Sequence, residues 1–467
     1  MQTTDHDLDG DNVANDESSK GSQKSSSDII SKFKAFSETK KSLSINECTS
    51  LTTAMKYLCE LFIRTGGESV ANGCGGTYSV GGRSSRHGIS DCIIELLNIK
   101  IYRNKTNNLT SASLKGVIMI VLDMVGPLFE RQLSLTDAYV SSTNDIPLAV
   151  DINPALVTQS KKSTSDAAFA RLSVCRVLRN GIGTSLSETN QQVMINDLTD
   201  FCNGVNGKNG PNLHQLQCAL TEISHLVASL SDASAGNLER LLPLLKTCLG
   251  HADYGVRWEA ATVYASLANS IPRELSFYLK DLINTVQLNA ESIADLADIA
   301  QSKSSVYNSD RGGSARRSRS TSPSPSGKYV THQYSLHGNA LALSMIIHES
   351  CNYPSLLTEE SVFDLVGISE ILILCQFDEK ITQSNPGAAC TCVRAGYAIL
   401  SAVVSCKYSA QQHIERIAKC WTRTTKCLVD VAKHFSMAHK VICLEAVLTS
   451  IVAFLRFSSD LLLNIPG

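Results

Sequence analysis

The sequence predicts an all-α fold built from stacked helical pairs. Three observations lead there. Apolar residues recur at helical spacing along most of the chain. Val- and Ile-rich runs that could pass for strands, such as Ile371 to Leu374, are short and have no hairpin turn chemistry beside them. Helix-pair starts near Asn212, Asp253, Tyr334, Gly387 and Ser436 return at intervals of roughly 40 to 55 residues once one polar insertion is set aside, close to the period of two-helix units.

Composition bounds the rest. The chain has 467 residues, 43% of them hydrophobic and 18% charged, with a formal net charge of -2. That is apolar enough for a sizeable core, and it supplies no global basic field for nucleic acid or an anionic membrane. Sixteen cysteines are spread along apolar helical stretches rather than packed into a short framework, which predicts reduced, buried thiols in a cytosolic protein. The opening MQTTDHDLDGDNVANDESSK has no basic start followed by an apolar core, so no secretory signal is expected. Leu109 to Leu128 is interrupted by Lys115 and Asp123 and reads as a buried helix rather than a membrane span. The sequons at Asn104 and Asn108 carry no weight in a cytosolic chain.

Residues 1–44 are rich in Ser, Asp and Lys and poor in large apolar residues, and they switch from acidic to basic. Such a segment cannot offset its ordering entropy by burial, so a disordered tail is expected. Helical repeats then span 45–300. The periodicity places helices at 89–102, 110–129, 166–180, 188–203, 212–231, 236–250, 255–270 and 273–288, after a Gly-rich loop from Gly66 to Gly82. A second set over 329–467, at 333–350, 358–376, 386–405, 408–434 and 436–457, continues the array and stops just after a helix, which suggests truncation.

Residues 301–328 form the one strongly biased internal segment. SARRSRSTSPSPSGK predicts a disordered Arg/Ser/Pro insertion open to kinases, with Ser318, Ser320, Ser322 and Ser324 as candidate phosphorylation sites.

The clearest repeat unit runs from His251 to Pro272. Asp253 caps its second helix, Val256, Ala260 and Leu267 lie on the buried side, and Pro272 closes it. Asp…Val-Arg followed by small residues is the pattern of a HEAT-type second helix, in which Arg257 is expected to reach a carbonyl or carboxylate of a neighbouring repeat. The fold class is therefore an α-solenoid of HEAT/armadillo-type repeats with a disordered N-terminal tail and one disordered insertion.

No catalytic template fits. The glycine stretch at Gly73, Gly75, Gly76, Gly81 and Gly82 lacks the Gly-Lys-Ser/Thr of a phosphate loop, although Arg83, Arg86 and His87 follow it. His348-Glu349 begins like a zinc-protease helix, but position 352 is Asn, so the second ligand is missing. Cys390 and Cys392 point to different sides of a helix, and His413, His434 and His439 have no recurring acidic or thiol partner. No Gly-x-Ser-x-Gly nucleophile motif occurs. An enzyme is not expected, and no cofactor, metal or small-molecule substrate is called for.

Several blocks, in order, carry a resemblance that covers most of the chain from Gly66 onward. They are GGESVANGCGGTYSVGG, SVCRVLRNGIGTSLSETNQQVMINDLTDFC, NLHQLQCALTEISHLVASL, HADYGVRWEAATVYASLANSIPRELSFYL, YSLHGNALAL, VRAGYAILSAVVS and IAKCWTRTT. Together they resemble the HEAT-repeat-containing protein 5 family, which includes the large clathrin-adaptor accessory protein of yeast and the plant protein Sweetie. Members are several times longer, and the tail and the Arg/Ser insertion depart from the family. The resemblance implies a non-enzymatic scaffold in vesicle-mediated transport, assisting the clathrin adaptor complex between trans-Golgi network, endosomes and plasma membrane. It implies protein partners, peripheral membrane association through them, and no nucleic acid. A generic HEAT/armadillo regulator of nuclear transport or microtubules is the alternative.

Overall fold

The computed structural model describes residues 58, 89–97, 111–125, 170–204, 210–231, 238–309, 325–350, 357–406, 411–430 and 435–457. Among them there is no strand; the fold is all-α. The helices are α1 (89–97), α2 (Ser111–Leu122), α3 (170–181), α4 (Glu188–Cys202), α5 (Leu213–Ser229), α6 (Leu241–Leu249), α7 (Tyr254–Ser270) and α8 (Leu275–Ser309). Then come α9 (Pro325–Ser350), α10 (Glu359–Leu374), α11 (Glu379–Ser384), α12 (Pro386–Ser405), α13 (Ile414–Asp430) and α14 (Met437–Phe457).

Capping side chains set many of the starts. Asn212 and Gln215 form a reciprocal capping box on α5, with Asn212 Oδ1 accepting from the Gln215 amide at 2.9 Å. Thr358, Asp378 and Asn385 cap α10, α11 and α12 by accepting from first-turn amides, and Pro386 follows Asn385 where a missing N–H costs nothing.

Each pair packs internally, α4 on α5, α6 on α7, α8 on α9, α10 on α12 and α13 on α14. The second helices also pack on one another in sequence, α5 on α7, α7 on α9, α9 on α12 and α12 on α14. They form one continuous row. Buried alanines fill it, including Ala261, Ala265, Ala340, Ala342, Ala389 and Ala402, and small side chains let neighbouring helices approach closely. The first helices form a looser layer joined by ion pairs on long side chains. Lys246 of α6 meets Asp281 of α8 at 2.9 Å, Lys380 of α11 meets Asp298 of α8 at 2.7 Å, and Arg416 of α13 meets Glu370 of α10 at 2.7 Å.

Four expectations need correction. The helix expected to stop at 288 continues to Ser309, because Val286, Ala290, Ile293 and Ala297 extend the buried stripe and no Gly or Pro interrupts it. Its partner starts at Pro325 rather than near 333, since Pro is tolerated in a first helical turn. Residues 301–309 and 325–328 are therefore helical rather than parts of an irregular insertion. Cys406 is disulfide-bonded, against the expectation of thiols throughout, while Cys218, Cys248, Cys390, Cys392, Cys420, Cys427 and Cys443 are buried free thiols. Cysteine spacing on apolar helices carries no signal for which thiols meet.

One described helix, Pro386–Ser405, is long and apolar enough to cross a membrane. Here it is the packed centre of the second row, covered by α9, α10, α11 and α14. At the end of the row, α14 exposes Met437, Val441, Leu444, Leu448, Val452 and Leu455 as a stripe at helical spacing.

Candidate binding groove on the second-helix row

The second helices bring four faces together around a groove of about 180 Å³. Tyr254 opens α7 at its rim. From α9 come His337, Ala340 and Leu341, from α12 Arg394, Ala395, Ala398 and Ser401, and from α14 Ile442, Glu445, Ala446 and Thr449. Within each set the residues fall on successive turns of the helix, so each helix turns one face to the groove. The concavity comes from the alanines, because larger side chains at those positions would fill it.

The walls are held rigidly. The Tyr397 hydroxyl lies 3.0 Å from the Cys420 carbonyl and 2.8 Å from Thr424 Oγ1, and Gln376 Nε2 donates to the same Thr424 oxygen at 2.7 Å. This buried network ties α12 to α13 and to the turn after α10. Gly396, on the back of α12, allows close contact with α10: a Cβ there would stand 2.9 Å from Ser369 O and from Ile373 Cγ1.

Asp253 Oδ1 accepts from the Val256 amide at 3.0 Å, capping α7, and from Gln217 Nε2 at 2.8 Å, joining α7 to α5. Val256, Ala260 and Leu267 are buried along α7, and Pro272 begins the short turn after it. Arg257 does not reach across to a neighbouring repeat's carbonyl or carboxylate. Its Nη1 donates to His251 O and Ala252 O, each at 2.7 Å, within its own helix-entry loop. A guanidinium one turn into a helix folds back most easily onto the carbonyls just before that helix. What it meets on the neighbour is aromatic, with its Cζ 5.0 Å from the Tyr334 ring centroid of α9, and it also lies 5.8 Å from the ring centroid of Tyr254 on its own helix. Arg257 Nε is buried without a hydrogen-bond partner.

His337 is only 8% exposed, and its Nδ1 has no partner either. Tyr254 meets its ring edge-on at 5.7 Å. Burial, with Arg257 and then Arg394 adding repulsion, pushes its pKa down to about 3, so the imidazole is neutral at physiological pH. Arg394 is exposed and forms no ion pair among the described residues.

The other residues singled out in the sequence lie elsewhere. The Gly66–Gly82 loop, Arg83, Arg86, His87, His434 and Ser318, Ser320, Ser322 and Ser324 fall outside the described residues. Cys390 Sγ lies 3.8 Å from Cys443 Sγ of α14, whereas the Cys392 thiol bonds Cys375 near the end of α10. His348 packs against Phe457, His413 against Phe363, and His439 bonds Ser436. Among the described residues no group of three or more His, Cys, Asp and Glu could hold a metal ion.

No family model matches the chain, and no curated protein matches it.

Proposed function

We propose that the chain is an α-solenoid of HEAT/armadillo type that serves as a non-enzymatic scaffold in vesicle-mediated transport. On this reading it assists the clathrin adaptor complex between trans-Golgi network, endosomes and plasma membrane, in the cytosol and at membranes through its protein partners. The observation that carries the reading is the unbroken row of second helices from α5 to α14. Such a row offers a long surface on which a partner makes many modest contacts, and it needs no reactive side chain. The resemblance to the HEAT-repeat-containing protein 5 family supplies the trafficking context.

Proximity labelling in cells tests it. Enrichment of adaptor subunits and endosomal proteins over a matched cytosolic control is the expected result. Enrichment of nuclear or microtubule proteins instead overturns the trafficking assignment in favour of a generic repeat regulator.

A further inference from the structure

We infer that the groove between α7, α9, α12 and α14 is a docking site for a short acidic segment of a partner protein. A carboxylate is held by Arg394, with Arg257 behind it, and a neighbouring apolar side chain seats among Ala340, Ala398 and Ala446. This rests on the scaffold reading and names the chemistry of its partner.

Three independent observations converge there. Arg394 is the single charged residue in the twenty of α12, and its side chain meets no carboxylate among the described residues. A guanidinium kept on an otherwise apolar helix, at the mouth of a groove, offers a planar fork of donors matched to a carboxylate. Arg257 is likewise without an ion-pair partner among the described residues, and its Nε has no acceptor. Buried behind the lining residues, it adds positive potential at His337. Finally, His337 lines the groove while more than nine-tenths buried, with Nδ1 unpartnered. An orphaned buried polar atom costs about 1–3 kcal/mol, a cost that a ligand group can relieve.

Size and charge select the occupant. At about 180 Å³ the groove falls below the roughly 300–1,000 Å³ typical of small-molecule sites, so it suits one or two side chains of a peptide. Glu445 on the α14 wall lines the same groove as Arg394. It offers an acceptor to peptide N–H groups, and it disfavours a dianionic phosphate, which separates an acidic peptide from a phosphopeptide.

The test uses the full chain on an array of randomised synthetic heptapeptides, followed by fluorescence anisotropy with fluorescein-labelled copies of the selected sequences. Asp and Glu enriched beside an apolar residue is the expected selection. Replacing those acids by Asn and Gln should weaken binding by about tenfold or more, as should Arg394→Gln in the protein. Glu445→Gln should tighten it. Affinity should stay flat between pH 5.5 and 8.5, because neutral His337 leaves the arginines as the source of positive charge. Absence of acidic enrichment, enrichment that survives Arg394→Gln, stronger selection of phosphoserine, or a silent array overturns the inference. A silent array alongside continued proximity labelling of adaptor subunits rejects the groove while leaving the scaffold reading in place.

Discussion

Gly338 of α9 lies against the last residue of α6, so close that a Cβ at position 338 would stand 2.8 Å from the carbonyl carbon of Leu249 and 3.0 Å from its Cα. Backbone meets backbone there, and neither partner has a flexible end that could yield. Gly338→Ala should therefore destabilise the chain by about 1–3 kcal/mol through overpacking, despite alanine's better helix propensity. Gly367, in the middle of α10 with open space where a Cβ would go, is the control. Gly367→Ala should stabilise by about 0.5–1 kcal/mol. Urea unfolding of the two variants should give midpoints on opposite sides of the wild type.

Arg257 satisfies two carbonyls of the loop that enters α7 and stacks beside Tyr334. Arg257→Ala removes both donors and the packing of the aliphatic stem. A loss of about 1–3 kcal/mol is expected, read by chemical denaturation. Arg257→Lys should recover only part of it, since an ammonium lacks the planar face that stacks on tyrosine.

Glu222 supplies a pH dependence with a definite sign. It is fully buried on α5, both carboxylate oxygens lack a hydrogen-bond partner, and Oε1 lies 2.7 Å from where a Cβ on Gly183 would stand. Burial pushes its pKa up to about 8, only partly opposed by Arg179. The unfolded carboxyl gives up its proton near its ordinary value, while the folded one keeps it to about 8. Stability is thus greatest below the unfolded pKa and is lost as pH rises through this window, by on the order of 4 kcal/mol. Glu222→Gln should flatten the decline between pH 5 and 8. Parallel decline in wild type and variant would remove Glu222 as its source.

The thiols should react in a fixed order. A hydrogen bond from the Cys392 thiol holds the Cys375 pKa below its usual value, whereas burial pushes Cys248 up to about 12 and Cys420 up to about 11. Alkylation of the native chain at pH 7.5, followed by peptide mass spectrometry, should modify Cys375 well before Cys248 or Cys420. Cys392→Ala should erase that lead.

The helices from 188 to 288 and from 358 to 457 are legible in the sequence because amphipathic spacing and cap residues such as Asn212, Asp253 and Thr358 act locally. The short α11 was not read as a separate helix. Six residues give too little period to register, and its cap Asp378 is the local sign. The run of α8 past 288 was missed because its buried face narrows to Ala290, Ile293 and Ala297 amid polar neighbours, so the segment looks like loop by composition. The position of Asp253 as a cap could be read from one residue and its neighbours; the direction of Arg257 depends on loop carbonyls that no spacing rule reveals. The groove was missed altogether. Its walls come from residues spread between 254 and 449, and the nearest thing to a signal was a lone arginine within an apolar helix. That arginine, Arg394, now marks the mouth.

The two layers also differ mechanically. Along the second row the helices touch through alanines with little slack, while the first-layer neighbours are held by lysine and arginine side chains reaching across solvent to carboxylates. Short apolar contacts resist sliding, and screened ion pairs on long arms give way. Bending should therefore open the first layer before the second row yields, as in a leaf spring with one stiff leaf. On that expectation a pull is borne by the side that carries the groove, and the spacing of the groove walls should be the last dimension to change.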